Sequence, residues 1–235
     1  DIQANISGTA GNLGWYRSDV QVSWTVADPE STVSSSEGCS ASAVTSDTDG
    51  ITFTCSATSA GGTASRTVTI KRDTAPPTLD FGAPSPAADA SGYHSGDVSF
   101  AFNTADDLSG VYFTSTGNPV VITGEGLHLS AQVVVTDQAG NSASFTTPEV
   151  FIERSPPVIT PNVVGTTFAD GWYVTNPQVS FQVNDAQSPI LSRDGCDATT
   201  VTEDTAGLTF TCTATSSGGT PSASLPVERD AAGPG

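Results

Sequence analysis

The stretch GWYRSDVQVSWTVADPES, residues 14–31, returns as GYHSGDVSFAFNTADDLS at 92–109 and as GWYVTNPQVSFQVNDAQS at 171–188. Tyr16, Tyr93 and Tyr173 thus recur about every 80 residues, and a fixed long period is the mark of an array of similar modules. Inside each copy the apolar residues alternate: Val20, Val22, Trp24; then Val98, Phe100, Phe102; then Val179, Phe181, Val183. Alternation at period two reads as a half-buried strand rather than a helix. Nowhere do apolar residues recur at helical spacing between caps. Short runs rich in Val, Thr, Phe and Ile alternate with Gly, Pro, Asn and Asp, which predicts an all-β sandwich or barrel.

Strands are expected near 2–6, 20–26, 40–44, 51–58 and 64–71 in repeat one. In repeat two they are expected near 77–81, 97–103, 110–114, 119–123, 127–136 and 143–152. Repeat three should place them near 157–163, 178–184, 197–202, 207–215 and 222–228. Ala60-Gly61-Gly62, Gln138-Ala139-Gly140-Asn141 and Ser217-Gly218-Gly219 mark the last hairpin of each repeat. The segments Arg72-Asp73-Thr74-Ala75-Pro76-Pro77 and Glu153-Arg154-Ser155-Pro156-Pro157 occupy matching places as linkers. Paired prolines favour extended backbone and leave little slack. The expected organisation is three modules, 1–73, 74–155 and 156–230, with 231–235 as a tail. At common strand lengths they would reach on the order of 100 Å end to end as an elongated array.

Modules this small bury little core, so a covalent staple helps. Cys39 and Cys55 lie 16 residues apart, as do Cys196 and Cys212 at the matching places, while repeat two has no cysteine. Pairing within each repeat is expected, each bridge closing a short loop worth about 3 kcal/mol in the chain-entropy model. Two bridges point to an oxidising compartment: secreted, periplasmic or at a cell surface. The formal charge is −18, with seven basic residues against 25 acidic ones. That balance argues against nucleic acid and anionic membranes as partners. No run of 18 apolar residues offers a transmembrane span. The chain begins without Met, and Glu228-Arg229-Asp230 echoes Lys71-Arg72-Asp73, as in an excerpt of a longer array or a processed product.

The phrases GWYRSDVQVSWTVADPES (14–31), EGCSASAVTSDTDGITFTCSATSAGGTAS (37–65) and TVTIKRDTAPPTLD (67–80) resemble the tandem immunoglobulin-like repeats of large bacterial extracellular proteins. In repeat two DDLSGV (106–111), GEGLHLSAQVVVTDQAGNSAS (124–144) and FIERSPPVIT (151–160) resemble related repeats that carry a D-x-AGN hairpin. The resemblance spans essentially the whole chain. It implies a tandem immunoglobulin-like sandwich fold, an extracellular setting, and a role as stalk, adhesin segment or accessory module without catalytic residues. The cysteine spacing departs from antibody domains, whose bridge joins strands far apart in sequence. Here it should tie a mid-repeat loop to the strand holding Phe53 or Phe210.

Calcium is the sharpest ligand expectation, because hard cations want several oxygen ligands and short linkers can gather them at joints. Asp28, Glu30, Asp73, Asp106, Asp107 and Asp185 are the leading candidates; Asp47, Asp49, Asp137, Asp194, Glu203 and Asp204 are further ones. The plainer alternative is that Asp28, Asp106 and Asp185 close their own turns. Trp15, Tyr16, Trp172 and Tyr173 are candidates for a sugar-stacking platform, with packing at the end of a sandwich as the alternative. His94 and His128 stand alone without a nucleophile context, so no catalytic residues are assigned. The expected role is a non-catalytic stalk or fibre segment of a secreted or surface-anchored bacterial protein. Its partners would be neighbouring modules or further copies in a filament; the alternative is an adhesin or carbohydrate-binding accessory recognising a glycan or surface protein.

Overall fold

A computed structural model describes residues 1–232. Repeat one forms β1 (Ile2–Ser7), β2 (Trp15–Tyr16), β3 (Val20–Val26), β4 (Ser35–Glu37), β5 (Ser42–Val44), β6 (Thr48–Ser59) and β7 (Gly62–Arg72). Repeat two forms β8 (Thr78–Ser85), β9 (Tyr93–His94), β10 (Val98–Ala105), β11 (Val111–Thr114), β12 (Val120–Ile122), β13 (Gly126–Leu129), β14 (Gln132–Asp137), β15 (Ser142–Thr146) and β16 (Val150–Ile152). Repeat three forms β17 (Val158–Val164), β18 (Gln178–Asn184), β19 (Ser192–Asp194), β20 (Thr199–Thr200), β21 (Thr205–Thr215) and β22 (Ser222–Arg229). Among the described residues there is one 3-10 turn, Ala169–Gly171, which precedes Trp172. The chain is all-β, with tandem immunoglobulin-like sandwiches.

The sandwich follows from the alternation. In repeat one, sheet β1-β3-β5 faces sheet β2-β7-β6-β4. Val20, Val22 and Val44 from the first pack with Ile70 from the second, and Trp24 packs beside Ile2, Cys55 and Ala57. Repeat three repeats the plan with β17-β18-β20 and β19-β21-β22, whose core joins Val179 and Phe181 to Cys212 and Val227. The outward faces carry hydroxyl ladders instead. Thr52–Thr69, Thr54–Thr67 and Thr58–Thr63 bridge β6 and β7 at 3.1, 3.0 and 2.8 Å, and Thr211–Ser224 and Thr213–Ser222 do so between β21 and β22. Such cross-strand pairs each add a few tenths of a kcal/mol up to about 1.

Both disulfides form within their repeats, Cys39–Cys55 and Cys196–Cys212. Each joins neighbouring strands of one sheet: Cys39 follows β4, which pairs with β6, and Cys55 lies on β6. Gly38 makes this approach feasible. At φ +69° it would place a Cβ 2.1 Å from the Thr54 carbonyl, and Gly195 sits alike against Thr211 at 2.2 Å.

The Gly-aromatic segments are more than plugs. Trp15 and Tyr16 pair in parallel with Lys71 and Arg72, Tyr93 and His94 with Phe151 and Ile152, and Tyr173 bridges Arg229. Gly14, Gly92 and Gly171 precede them at φ +83°, +88° and +86°, a turn that excludes most side chains. The sequence also shows why repeat two differs. The expected strands 127–136 and 143–152 each divide, because β14 pairs with β15 while β13 pairs with β16. The first run breaks at Ser130-Ala131, just after a bulge in β13 that His128 makes at φ +57°, and the second breaks at Pro148, which lacks an amide donor.

Two compact units partition the chain. One comprises Asp1–Gly82, Phe100–Val120 and Ala131–Thr147, and so holds all of repeat one; the other comprises Ala83–Ser99, Val121–Ser130 and the chain from Pro148 onward, and so holds all of repeat three. The strands of repeat two are shared out between them. Of the expected tail, Ala231 bonds Asp204 and Ala232 bonds Asp230, while 233–235 lie outside the described residues.

Candidate functional site

Each repeat carries one Asp-x-x-Ser turn. Asp28 Oδ1 accepts the Glu30 and Ser31 amides, Asp106 Oδ1 those of Leu108 and Gly110, and Asp185 Oδ1 those of Gln187 and Ser188. These are the self-closing turns that Asp favours. What the second carboxylate oxygen does then separates the three.

In repeat one it is spent locally, since Asp28 Oδ2 accepts the Ser31 hydroxyl at 2.8 Å. Hydrogen bonds from the Ser59 and Ser31 hydroxyls and the Glu30 amide hold the Asp28 pKa down at about 2. Glu30 is exposed and joins no carboxylate cluster among the described residues.

In the first compact unit the linker acid Asp73 meets this turn. Carboxylate oxygens of Asp73, Asp106 and Asp137 lie within 4.8 Å of one another, and Asp73 and Asp137 are fully buried. Backbone amides hold all three: Ala75 and Ser109 bond Asp73, and Gly140 and Asn141 bond Asp137. The Asn141 amide ties the hairpin to the linker, donating to the carbonyls of Asp73 and Ala75 and to Asp137 Oδ2. Asp73 and Asp106 border a cavity of about 150 Å³ together with Asp47 and Asp107. Asp107 is exposed.

The second compact unit holds the matching arrangement, with Glu153 in the place of Asp73. The residue is 1% exposed, and neither carboxylate oxygen meets a hydrogen-bond partner in good geometry. Asp185 Oδ2 is also buried without a partner. Burial raises the Glu153 pKa; the Ser188 hydroxyl opposes this, and the Asp185 and Glu125 carboxylates add to it. Burial also penalises ionised Asp185, but the Gln187 amide, the Ser216 hydroxyl and the Ser188 amide outweigh it, so that pKa is lowered. The hairpin backbone closes over the linker, since a Cβ on Gly218 would fall 2.0 Å from the Ser155 carbonyl. Glu125 accepts the Ser155 amide and the Gln187 side-chain amide, and the Tyr93 hydroxyl donates to the Gln187 carbonyl at 2.7 Å.

The structure thus brings Asp73, Asp106 and Asp137 together, and sets Asp185 against Glu153. Sequence reading passed over Glu153, although alignment of Pro76-Pro77 with Pro156-Pro157 puts it opposite Asp73. A second feature also went unread. Arg72, 9% exposed, bonds Asp47 at 2.5 Å and Asp19 at 2.8 Å, and Thr74 bonds Asp47 as well. Arg229 repeats this with Asp204 at 2.5 Å and Asn176 at 2.7 Å. Asp47 and Asp204 are therefore ion-pair partners of an arginine. In repeat two the buried Ile152 stands in the arginine's place.

Trp15 is buried, with the Lys71 ammonium 5.5 Å over its ring, and Tyr16 and Tyr173 pack against the cores of their own repeats. Trp172 is half-buried. Of the two histidines, His94 is buried and His128 bonds Glu149 at 2.7 Å in the open.

No family model and no curated protein matches this chain. Among solved structures, the titin I-band fragment I67-I69 aligns with 97% of this chain and 98% of its own, at 10% identity and TM-score 0.47. Sidekick-1 immunoglobulin domains 1-5 align at 14% identity and TM-score 0.36, over 97% of this chain and 59% of theirs. The Clostridium thermocellum CbhA fibronectin(III)-like modules align at 12% identity and TM-score 0.31, over 64% of this chain and 95% of theirs.

Proposed function

We propose that this chain is a non-catalytic spacer segment of a secreted or surface-anchored bacterial protein, built from three modules at 1–73, 74–155 and 156–230. The observation that carries the reading is the fastening of both linkers. Asn141 holds the backbone of Asp73 and Ala75, and the Gly218 backbone lies against Ser155. A linker bonded along its length loses the freedom of a flexible tether, so successive modules act as a stiff series. The bridges and hydroxyl ladders support the same reading, because they stabilise small sandwiches without enlarging their cores. Solution scattering over a concentration series tests it. A constant mass and a rod with length on the order of 100 Å are expected. A compact particle would contradict the spacer, and mass rising with concentration would replace it with a self-assembling filament.

One observation favours the adhesin or carbohydrate-binding reading as a second. Tyr112 and Phe113 are 62% and 54% exposed on β11, an outer strand of its sheet. Adjacent exposed aromatics are the feature that a glycan or protein partner would use. On this second reading, recognition would use repeat two rather than Trp15 or Trp172.

A further inference from the structure

We propose that Glu153 and Asp185 form a binding site for a divalent cation of calcium-like preference. A buried carboxylate needs hydrogen bonds, a basic partner, a proton or a metal ion. Neither Glu153 oxygen meets a hydrogen-bond partner in good geometry, nor does Asp185 Oδ2, although the Ser188 hydroxyl and the Asp185 carboxylate stand close enough to Glu153 to act on it. No arginine or lysine answers them. Among the described residues the arginine ion pairs are those of Arg72, Arg154 and Arg229, and Arg154 next in sequence turns to Asp97. Three buried carboxylate oxygens therefore gather at one place with only the Ser188 and Ser216 hydroxyls as nearby donors and no cationic side chain among the described residues.

The donor set is all oxygen, which selects hard cations over zinc or copper. Its anchoring suits a metal as well. Asp185 Oδ1 is fixed by two amides, and the Glu153 amide bonds the His94 carbonyl at 2.9 Å, so both side chains leave rigid backbone. Calcium takes six to eight oxygens, and water would supply those that protein does not. The matching place in the other compact unit gathers Asp73, Asp106 and Asp137, so the same joint is acidic twice. This inference goes beyond the spacer reading and stands apart from it, since a spacer needs no metal.

The test is calcium titration of the full chain, stripped with EDTA, by calorimetry and by thermal melting, with magnesium alongside. Terbium luminescence adds a local signal, because the Tyr93 hydroxyl bonds the carbonyl of Gln187, two residues from Asp185. Calcium binding with a Kd on the order of 0.1–1 mM is expected, with a rise in melting temperature. Glu153→Gln should weaken binding by at least tenfold at this site and remove the Tyr93-sensitised signal, while Asp73→Asn leaves that signal in place. Should Glu153→Gln fail to fold, Asp185→Asn carries the same expectation. Calcium binding and terbium signal unchanged in these variants would overturn the proposal. So would wild-type protein indifferent to millimolar calcium, in which case the pair is held by a shared proton.

Discussion

Replacing Cys196 and Cys212 by alanine destabilises repeat three by about 3 kcal/mol, and replacing Cys39 and Cys55 does the same to repeat one. Each bridge spans 16 residues, so the reduced chain regains the entropy of an open loop. Cys55 and Cys212 are also fully buried, which adds lost packing to lost constraint. For modules of this size the loss corresponds to a fall in melting temperature of roughly 12–24 °C. Repeat two has no cysteine and keeps its own transition. Tryptophan fluorescence separates the cases, because Trp15 and Trp24 lie in repeat one and Trp172 in repeat three. Tryptophan-reported melting that ignores reductant would contradict the assignment of stability to the bridges.

Arg72→Ala costs about 2 kcal/mol, read by urea denaturation. Removing one partner of a fully buried pair costs about 3–5 kcal/mol. Here Arg72 is 11% exposed at its side chain but Asp47 and Asp19 are 33% and 60% exposed, so water recovers part of their solvation. The substitution also frees Asp47, which anchors Thr74 at the linker. Arg229→Ala should cost less, because its second partner, Asn176, is neutral. Arg66, exposed opposite Cys55, is the control and should change stability by under about 0.5 kcal/mol. An equal loss at Arg66 would remove the strut from the account.

The fold was legible because period two and the long repeat act together. Val20, Val22 and Trp24 declare one face, and their recurrence in Val98 and Val179 declares the module. The bridges were legible from matching cysteine positions. Short strands were not: β4 and β19 are exposed throughout, so no apolar alternation announces them. The divided strands of repeat two escaped notice because Leu127, Leu129 and Val133 continue one pattern across a change of sheet. At the joints, Asp73 and Asp106 were legible as acids beside linkers. Glu153 was not, since burial without a donor is a property of three-dimensional packing. The arginine struts were visible only as the echo of Arg72-Asp73 in Arg229-Asp230.

Stretching the single chain between two handles tests the central claim, that three modules in series each bear load. Three unfolding steps are expected. With the bridges intact, 16 residues stay locked in each outer module; reductant should lengthen those two steps by about 5–6 nm each and leave the third unchanged. Two steps matching the two compact units, or a middle step that lengthens on reduction, would contradict it.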